Sequence, residues 1–195
     1  MTQVLSILRT HDDREIPAAG EYTVDPAHTS VEFIGRHLMI TKVRGRFPEV
    51  SGTITIADEP ERSHVEVELE VATVETGNRD RDAHLRSADF FDAEKYPTIS
   101  FRSTKVEAGT SGTWAVTGDL TVRDITRPVT LQVDFDGANA SPIGDERIGF
   151  SAATEVNRED FGLTWNVALE TGGFLVGKTA RIELAVQAIA AKAAV

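Results

Sequence analysis

His64-Val65-Glu66-Val67-Glu68-Leu69-Glu70-Val71 alternates without interruption. Successive side chains of an extended strand point to opposite sides, so Val65, Val67, Leu69 and Val71 share one face and Glu66, Glu68 and Glu70 the other. A half-buried strand follows: one face is wet and the other dry. The same period recurs outward from this stretch in both directions. It is read in Val31-Glu32-Phe33, Thr53 to Ile56, Ile99 to Arg102, Val129 to Phe135, Ile148 to Ala152 and Arg181 to Gln187. It is read again from Trp114 to Val122, where Trp114, Val116, Leu120 and Val122 line up. That makes about eight strands. Turn chemistry separates them at Phe47-Pro48, Asp58-Glu59-Pro60, Ala108 to Gly112, Asp136 to Asn139 and Gly172-Gly173.

One segment breaks the pattern. Residues 79–95 carry helix formers and no alternation, with Asp80 and Ser87 as candidate N-caps, and are expected to form one or two short helices. About eight antiparallel strands with one uniformly apolar face must bury that face in a two-sheet sandwich or a closed barrel. An eight-stranded barrel either fills with side chains or keeps room for one small ligand. Phe33, Phe101, Trp114, Phe135, Phe150, Phe161 and Trp165 suit either outcome, as deep cavity walls or as a packed core.

The 195 residues contain no cysteine, which excludes disulfides, a thiolate nucleophile and cysteine-ligated zinc. With 20 Lys+Arg against 31 Asp+Glu, the net charge of -11 disfavours nucleic acid and anionic membrane partners. Much of the acid falls on the wet strand faces, as with Glu66, Glu68, Glu70, Asp134 and Glu183, and reads as a solubility coat. The opening residues lack a basic start and an unbroken apolar run, so a cytoplasmic protein is expected. Val4 to Leu8 reads as one or two turns of amphipathic helix on the main domain, and the stretch from Ala188 onward as a fraying tail.

No phosphate loop, nucleophile elbow or metalloprotease helix is present. The five histidines, His11, His28, His37, His64 and His84, never share a metal-binding spacing. Counting in twos from Val31 and Phe33 places His37 on the apolar face. Arg81, Asp82 and His84 form a catalytic-looking cluster, read here as a hydrogen-bonded clip holding the insert to the barrel rim.

Several blocks together resemble the YceI-like family of lipocalin-like, polyisoprenoid-binding barrels. They are Tyr22 to Phe33, His37, Val43 to Phe47, Thr76-Gly77-Asn78, Arg81 to Leu85, Ala88 to Asp92, Tyr96 to Phe101, Gly118 to Thr121, Asn157 to Leu163 and Leu175-Val176-Gly177. The resemblance implies an all-β fold: an eight-stranded antiparallel lipocalin-like barrel over residues 22–190, with the short helical insert near one end and residues 1–21 as an N-terminal extension. It implies binding, storage or transport of a long apolar chain of polyisoprenoid, isoprenoid quinone or fatty acyl type, with no catalysis and no cofactor. It also suggests a homodimer. Family members are often secreted, whereas this opening shows no such signal.

A tunnel of that kind would be lined by Phe33, Val67, Leu69, Phe101, Trp114, Leu120, Leu131, Val133 and Phe150. Basic donors at its mouth would meet the head group, the candidates being His37, Arg44, Arg46, Arg158 and Lys178. Two rivals remain at this point: a barrel closed by its own side chains that serves as a structural or partner-binding module, and an enzyme acting on a lipid through His37 or the Arg81/Asp82/His84 cluster.

Overall fold

The computed structural model describes residues 7–170 and 172–191. Twelve strands form: β1 (Leu8–His11), β2 (Arg14–Pro17), β3 (Gly20–Val24), β4 (Ser30–His37), β5 (Thr41–Arg46), β6 (Val50–Ile56), β7 (His64–Glu70), β8 (Thr98–Ala108), β9 (Trp114–Val122), β10 (Ile125–Ala140), β11 (Glu146–Asn157) and β12 (Thr179–Ala190). Among the described residues a single α-helix forms, α1 (Arg79–Arg86), and it lies in the expected insert. Every strand pairing is antiparallel.

Hydrogen bonding runs β3-β6-β7-β8-β9-β10-β11-β12 and back to β3, closing an eight-stranded barrel. Closure depends on a strand shared between two partners. The C-terminal part of β12 pairs Ala188–Ala190 with Tyr22–Val24 of β3, and its N-terminal part pairs Arg181–Ala185 with Ser30–Ile34 of β4. A 3₁₀ turn at Pro26–His28 separates β3 from β4, so these two act as one strand broken by a proline turn. The hairpin of β4 and β5 then fills the wall beyond the break, and Arg46 bridges to Glu75.

The break is held by a polar knot. The Asp25 carboxylate accepts from the Ala27 amide at 3.1 Å and contacts the His28 ring at 2.7 Å and the Arg147 guanidinium. Arg147 also donates to Gln187 at 2.6 Å, so β11, β12 and the β3 end are tied at one point. Burial pushes the Asp25 carboxyl pKa up, but the bonds from His28, Arg147 and Ala27 outweigh it and hold it below its ordinary value. A carboxyl with a depressed folded pKa stabilises the fold above its unfolded value and loses that contribution as pH falls. Asp25→Asn is therefore expected to lower the midpoint of thermal unfolding at pH 7. The gap to the parent should narrow towards about pH 3, below the reference carboxylate value; a gap independent of pH would show that the charge is not what matters.

Five readings of the sequence need correction, and the first is the turn at Asp136 to Asn139, which lies inside β10 while the chain reverses at Ser141 to Asp145. Leu8 belongs to a β-hairpin, β1 with β2, and not to a helix, since Leu8 and Arg9 pair with Pro17 and Ile16; residues 4–6 lie outside the described residues. The run from Ala188 to Ala190 is strand, with Ala188 fully buried against the barrel; residues 192–195 lie outside the described residues. The cap of α1 is Asn78, whose side chain accepts from the Arg81 amide, while Ser87 ends the helix and Asp80 sits in its first turn. His37 is exposed at the end of β4 and bridges to Val176, because the apolar parity of β4 stops where the strand leaves the barrel wall.

Candidate ligand cavity

Alternation puts one face of every barrel strand inside, and what those faces surround is a cavity of about 350 Å³. That is within the roughly 300–1,000 Å³ typical of small-molecule sites. All eight strands of the closed ring, and β4, contribute to its wall. The nine residues expected at a tunnel, Phe33, Val67, Leu69, Phe101, Trp114, Leu120, Leu131, Val133 and Phe150, all line it. Of the seven aromatics considered as walls, Trp165 alone stands elsewhere: it packs edge-on against His84 at 4.5 Å and beside Phe90.

Two inner walls are shaped by large side chains lying over glycines. Phe33 pairs across the strands with Gly45, and a Cβ there would fall 2.2 Å from the Phe33 ring. At Gly118 a Cβ would meet the Phe101 ring and the Arg102 carbonyl, both at 2.5 Å. The absence of a side chain at each position lets an aromatic ring turn into the interior.

The two ends of the cavity are built differently. At the end where β6, β8, β10 and β12 finish, the β1–β2 hairpin supplies Ile16 and Pro17 to the lining. Ile7 and Ile16 are buried, and Arg9 pins the hairpin by donating to the Ala57 carbonyl at 2.5 Å and the Asp58 carbonyl at 2.6 Å. Sequence reasoning missed this contribution; the apolar pair Ile16-Pro17 after a run of charges was its only signal.

The opposite end is closed by the insert and by the segment from Arg158 to Lys178. Leu85, Phe90 and Phe91 reach the lining from the insert, and Phe91 meets Phe33 and Phe47 edge-on at 6.3 and 5.5 Å. Arg81 and Asp82 act as a clip. Arg81 Nε donates to Thr76 Oγ1 at 2.7 Å, and the Asp82 carboxylate accepts from the Thr76 amide and hydroxyl at 2.8 and 2.6 Å. His84 contacts Asp89 at 2.9 Å on the outside of the insert.

Arg158 is the candidate head-group residue that the structure brings to the cavity. It starts a 3₁₀ turn, Arg158–Phe161, and is only 6% exposed. Its Nε donates to the Gly177 carbonyl at 2.9 Å, and Nη1 donates to the Trp165 carbonyl at 3.0 Å and to the Leu163 carbonyl. Nη2 has a long contact of 3.5 Å with the Val176 carbonyl. Among the described residues no carboxylate forms an ion pair with it. Burial pushes its pKa down, against a smaller upward pull from the charge of Glu159.

The other four candidates lie outside the cavity lining. His37 is exposed on the rim, Arg44 is held at 3.1 and 3.0 Å by Glu32 and Glu183, Arg46 at 2.5 Å by Glu75, and Lys178 at 2.9 Å by Glu159. Alternation could have sorted two of them, since the inward parity of β5 belongs to Val43 and Gly45 and leaves Arg44 and Arg46 outside.

A closed antiparallel barrel around one apolar cavity defines a lipocalin-like binding fold. The chain belongs to the YceI-like family: the model of the YceI-like domain matches residues 22–188. A UPF0312 protein of Pseudomonas putida GB-1 is 39% identical over 148 residues, which are 74% of this chain and 77% of that protein. A UPF0312 protein of Staphylococcus aureus N315 is 34% identical over 165 residues, 83% of this chain and 93% of that one. Among solved structures, a YCEI protein of Campylobacter jejuni superposes with a TM-score of 0.68 at 28% identity, covering 80% of this chain and 90% of that one. The fold is also shared with a Saccharophagus degradans domain described as polyisoprenoid-binding, at a TM-score of 0.62 and 16% identity, covering 87% of this chain and 98% of that one.

Proposed function

We propose that the barrel takes up a long apolar chain of polyisoprenoid, isoprenoid quinone or fatty acyl type and holds it for storage or transport. The observation that carries this reading is the cavity itself, apolar along its length and walled by every strand of the ring. Burying about ten CH₂ groups there is worth roughly 8 kcal/mol before the costs of association are subtracted. An extended chain gains that energy without directional contacts, whereas a small polar metabolite loses its hydration and finds few partners.

Polarity in the lining includes a charged group at the insert end, and there Arg158 offers a cation whose neighbours are carbonyls. A ligand whose acidic or oxygen-rich head stops at Arg158 would complete that guanidinium, with its tail running towards Ile16 and Pro17. An open interior counts against a purely structural barrel. The description of the Saccharophagus degradans neighbour agrees with an apolar ligand.

Native mass spectrometry of the protein purified from its own cells tests the proposal. A lipid-sized mass increment that disappears on organic extraction is expected. A bare chain mass, together with no uptake of prenyl or fatty chains by the extracted protein, would overturn it.

A further inference from the structure

Six large apolar side chains are exposed among the described residues, and five of them, Leu38, Met39, Ile40, Val167 and Phe174, sit on one projection. The sixth, Ile143, lies in a turn at the far end. Two hairpin tips make up the projection. One is the turn between β4 and β5, where His37 pairs with Thr41 around Leu38, Met39 and Ile40. The other is the turn in which Ala168 bridges to Phe174. They are fastened side by side, since the Leu38 amide donates to the Leu175 carbonyl at 2.7 Å and His37 bridges to Val176.

Turn formation alone does not call for this composition. Leu38 and Met39 both adopt left-handed φ values, 53° and 60°, where Gly, Asn or Asp would be favoured. Met39 is 58% and Ile40 76% exposed, an arrangement that water disfavours and an apolar surface rewards.

Charge identifies the surface. Arg36 and Lys42 face each other across the base of the first tip, and among the described residues neither has an ion-pair partner. Glu170, on the second tip, is the single carboxylate among residues 36–42 and 166–175. In a chain of net charge -11 the two tips carry Arg36 and Lys42 against Glu170, directly behind their exposed apolar residues. Apolar tips backed by long basic side chains match a bilayer interface with anionic head groups, where the tips enter the acyl boundary and the cations meet the phosphates. The projection also continues straight from the cavity wall: Val176 and Gly177 line the cavity, and the Gly177 amide donates to the Arg36 carbonyl at 2.9 Å.

We infer that the paired tips around Met39, Ile40 and Phe174 dock this chain on the surface of an anionic membrane, with the Arg158 end of the barrel facing the lipid. The docking is peripheral and reversible, and it does not depend on what the cavity holds. Flotation with vesicles of phosphatidylcholine alone, and of phosphatidylcholine mixed with phosphatidylglycerol, tests it with the full chain. The parent should float with the anionic vesicles at low salt and much less with the neutral ones. Met39→Asp combined with Ile40→Asp, two exposed positions whose folding is checked by thermal melting, should weaken partition at least about tenfold, or roughly 1.4 kcal/mol. Arg36→Gln with Lys42→Gln should remove the preference for anionic vesicles.

Failure of the parent to float with anionic vesicles overturns the inference, as does equal flotation with both compositions or a Met39/Ile40 variant that floats like the parent. If that variant instead converts a dimer to a monomer with vesicle binding unchanged, the tips are an interface between copies and the membrane assignment is wrong. Flotation reads where the protein goes and not what it carries, so it stands apart from the mass measurement above.

Discussion

Arg158→Met should destabilise the fold by about 3 kcal/mol, or about 6–12 °C in the thermal midpoint of a chain this size. The side chain is buried, and its replacement leaves the carbonyls of Leu163, Trp165 and Gly177 without their donor. Buried acceptors left unpaired cost more than the hydrogen bonds themselves contribute. Methionine restores most of the volume, so the loss measures the polar contacts more than a void. Arg158→Lys should recover only part of it, because a single ammonium cannot reproduce the fork that spans these carbonyls. Denaturant titration of the three proteins is the measurement, and a methionine variant as stable as the parent would mean that the segment after Arg158 is held by other contacts.

Leu69→Glu should abolish uptake of apolar chains. Leu69 is almost wholly buried near the insert-side end of β7 and pairs across the strands with Val50 and Ile99, both of them buried. A carboxylate there finds no cation on the inward faces beside it and must either stay protonated or draw water into the cavity. Its folded pKa would lie above the reference value of about 4.3, so the folded state binds the extra proton and stability falls as pH rises past that value. Circular dichroism at about pH 5 and pH 8 would follow the loss of structure, since the reference carboxyl titrates below both. Uptake of a fluorescent fatty chain at the lower pH would follow function. Uptake retained in a folded variant would mean that the chain binds elsewhere.

The strands that the sequence reveals most plainly are those with a water-filled side and a dry side. In β7 each outward residue is polar and each inward one apolar, and β9, β10 and β12 keep the same period with a few exceptions such as Ala115, Pro128 and Ala185 on the outward side, so the period is visible by eye. β5 escapes because Val43 is its single apolar side chain; the packing at Gly45 is done by the ring of Phe33, contributed from another strand. β3 escapes because it is short, and its meaning depends on a partner more than 150 residues away, at Ala188. The nine lining residues were legible for the reason that made their strands legible. The head-group residues were not, because a basic side chain announces its charge but not the face it occupies. Arg158 differs from Arg44, Arg46 and Lys178 only in the carbonyls folded around it, and those come from residues 5 to 19 positions further along.

Closure of the barrel has a consequence for how the protein comes into being. The staves of the ring arrive from the ribosome in order, yet β12 must insert beside β11 and also against β3 and β4, and these last two are separated from it by most of the chain. Until residue 190 has emerged, the apolar inner faces of seven staves have no lid against water and no final neighbour. Such long-range pairing is slow, and partly built sheets of this kind adhere to one another. Synthesis of this protein therefore passes through a stage at which its future cargo space is its most exposed surface, and a chaperone or an early-arriving lipid would do most there.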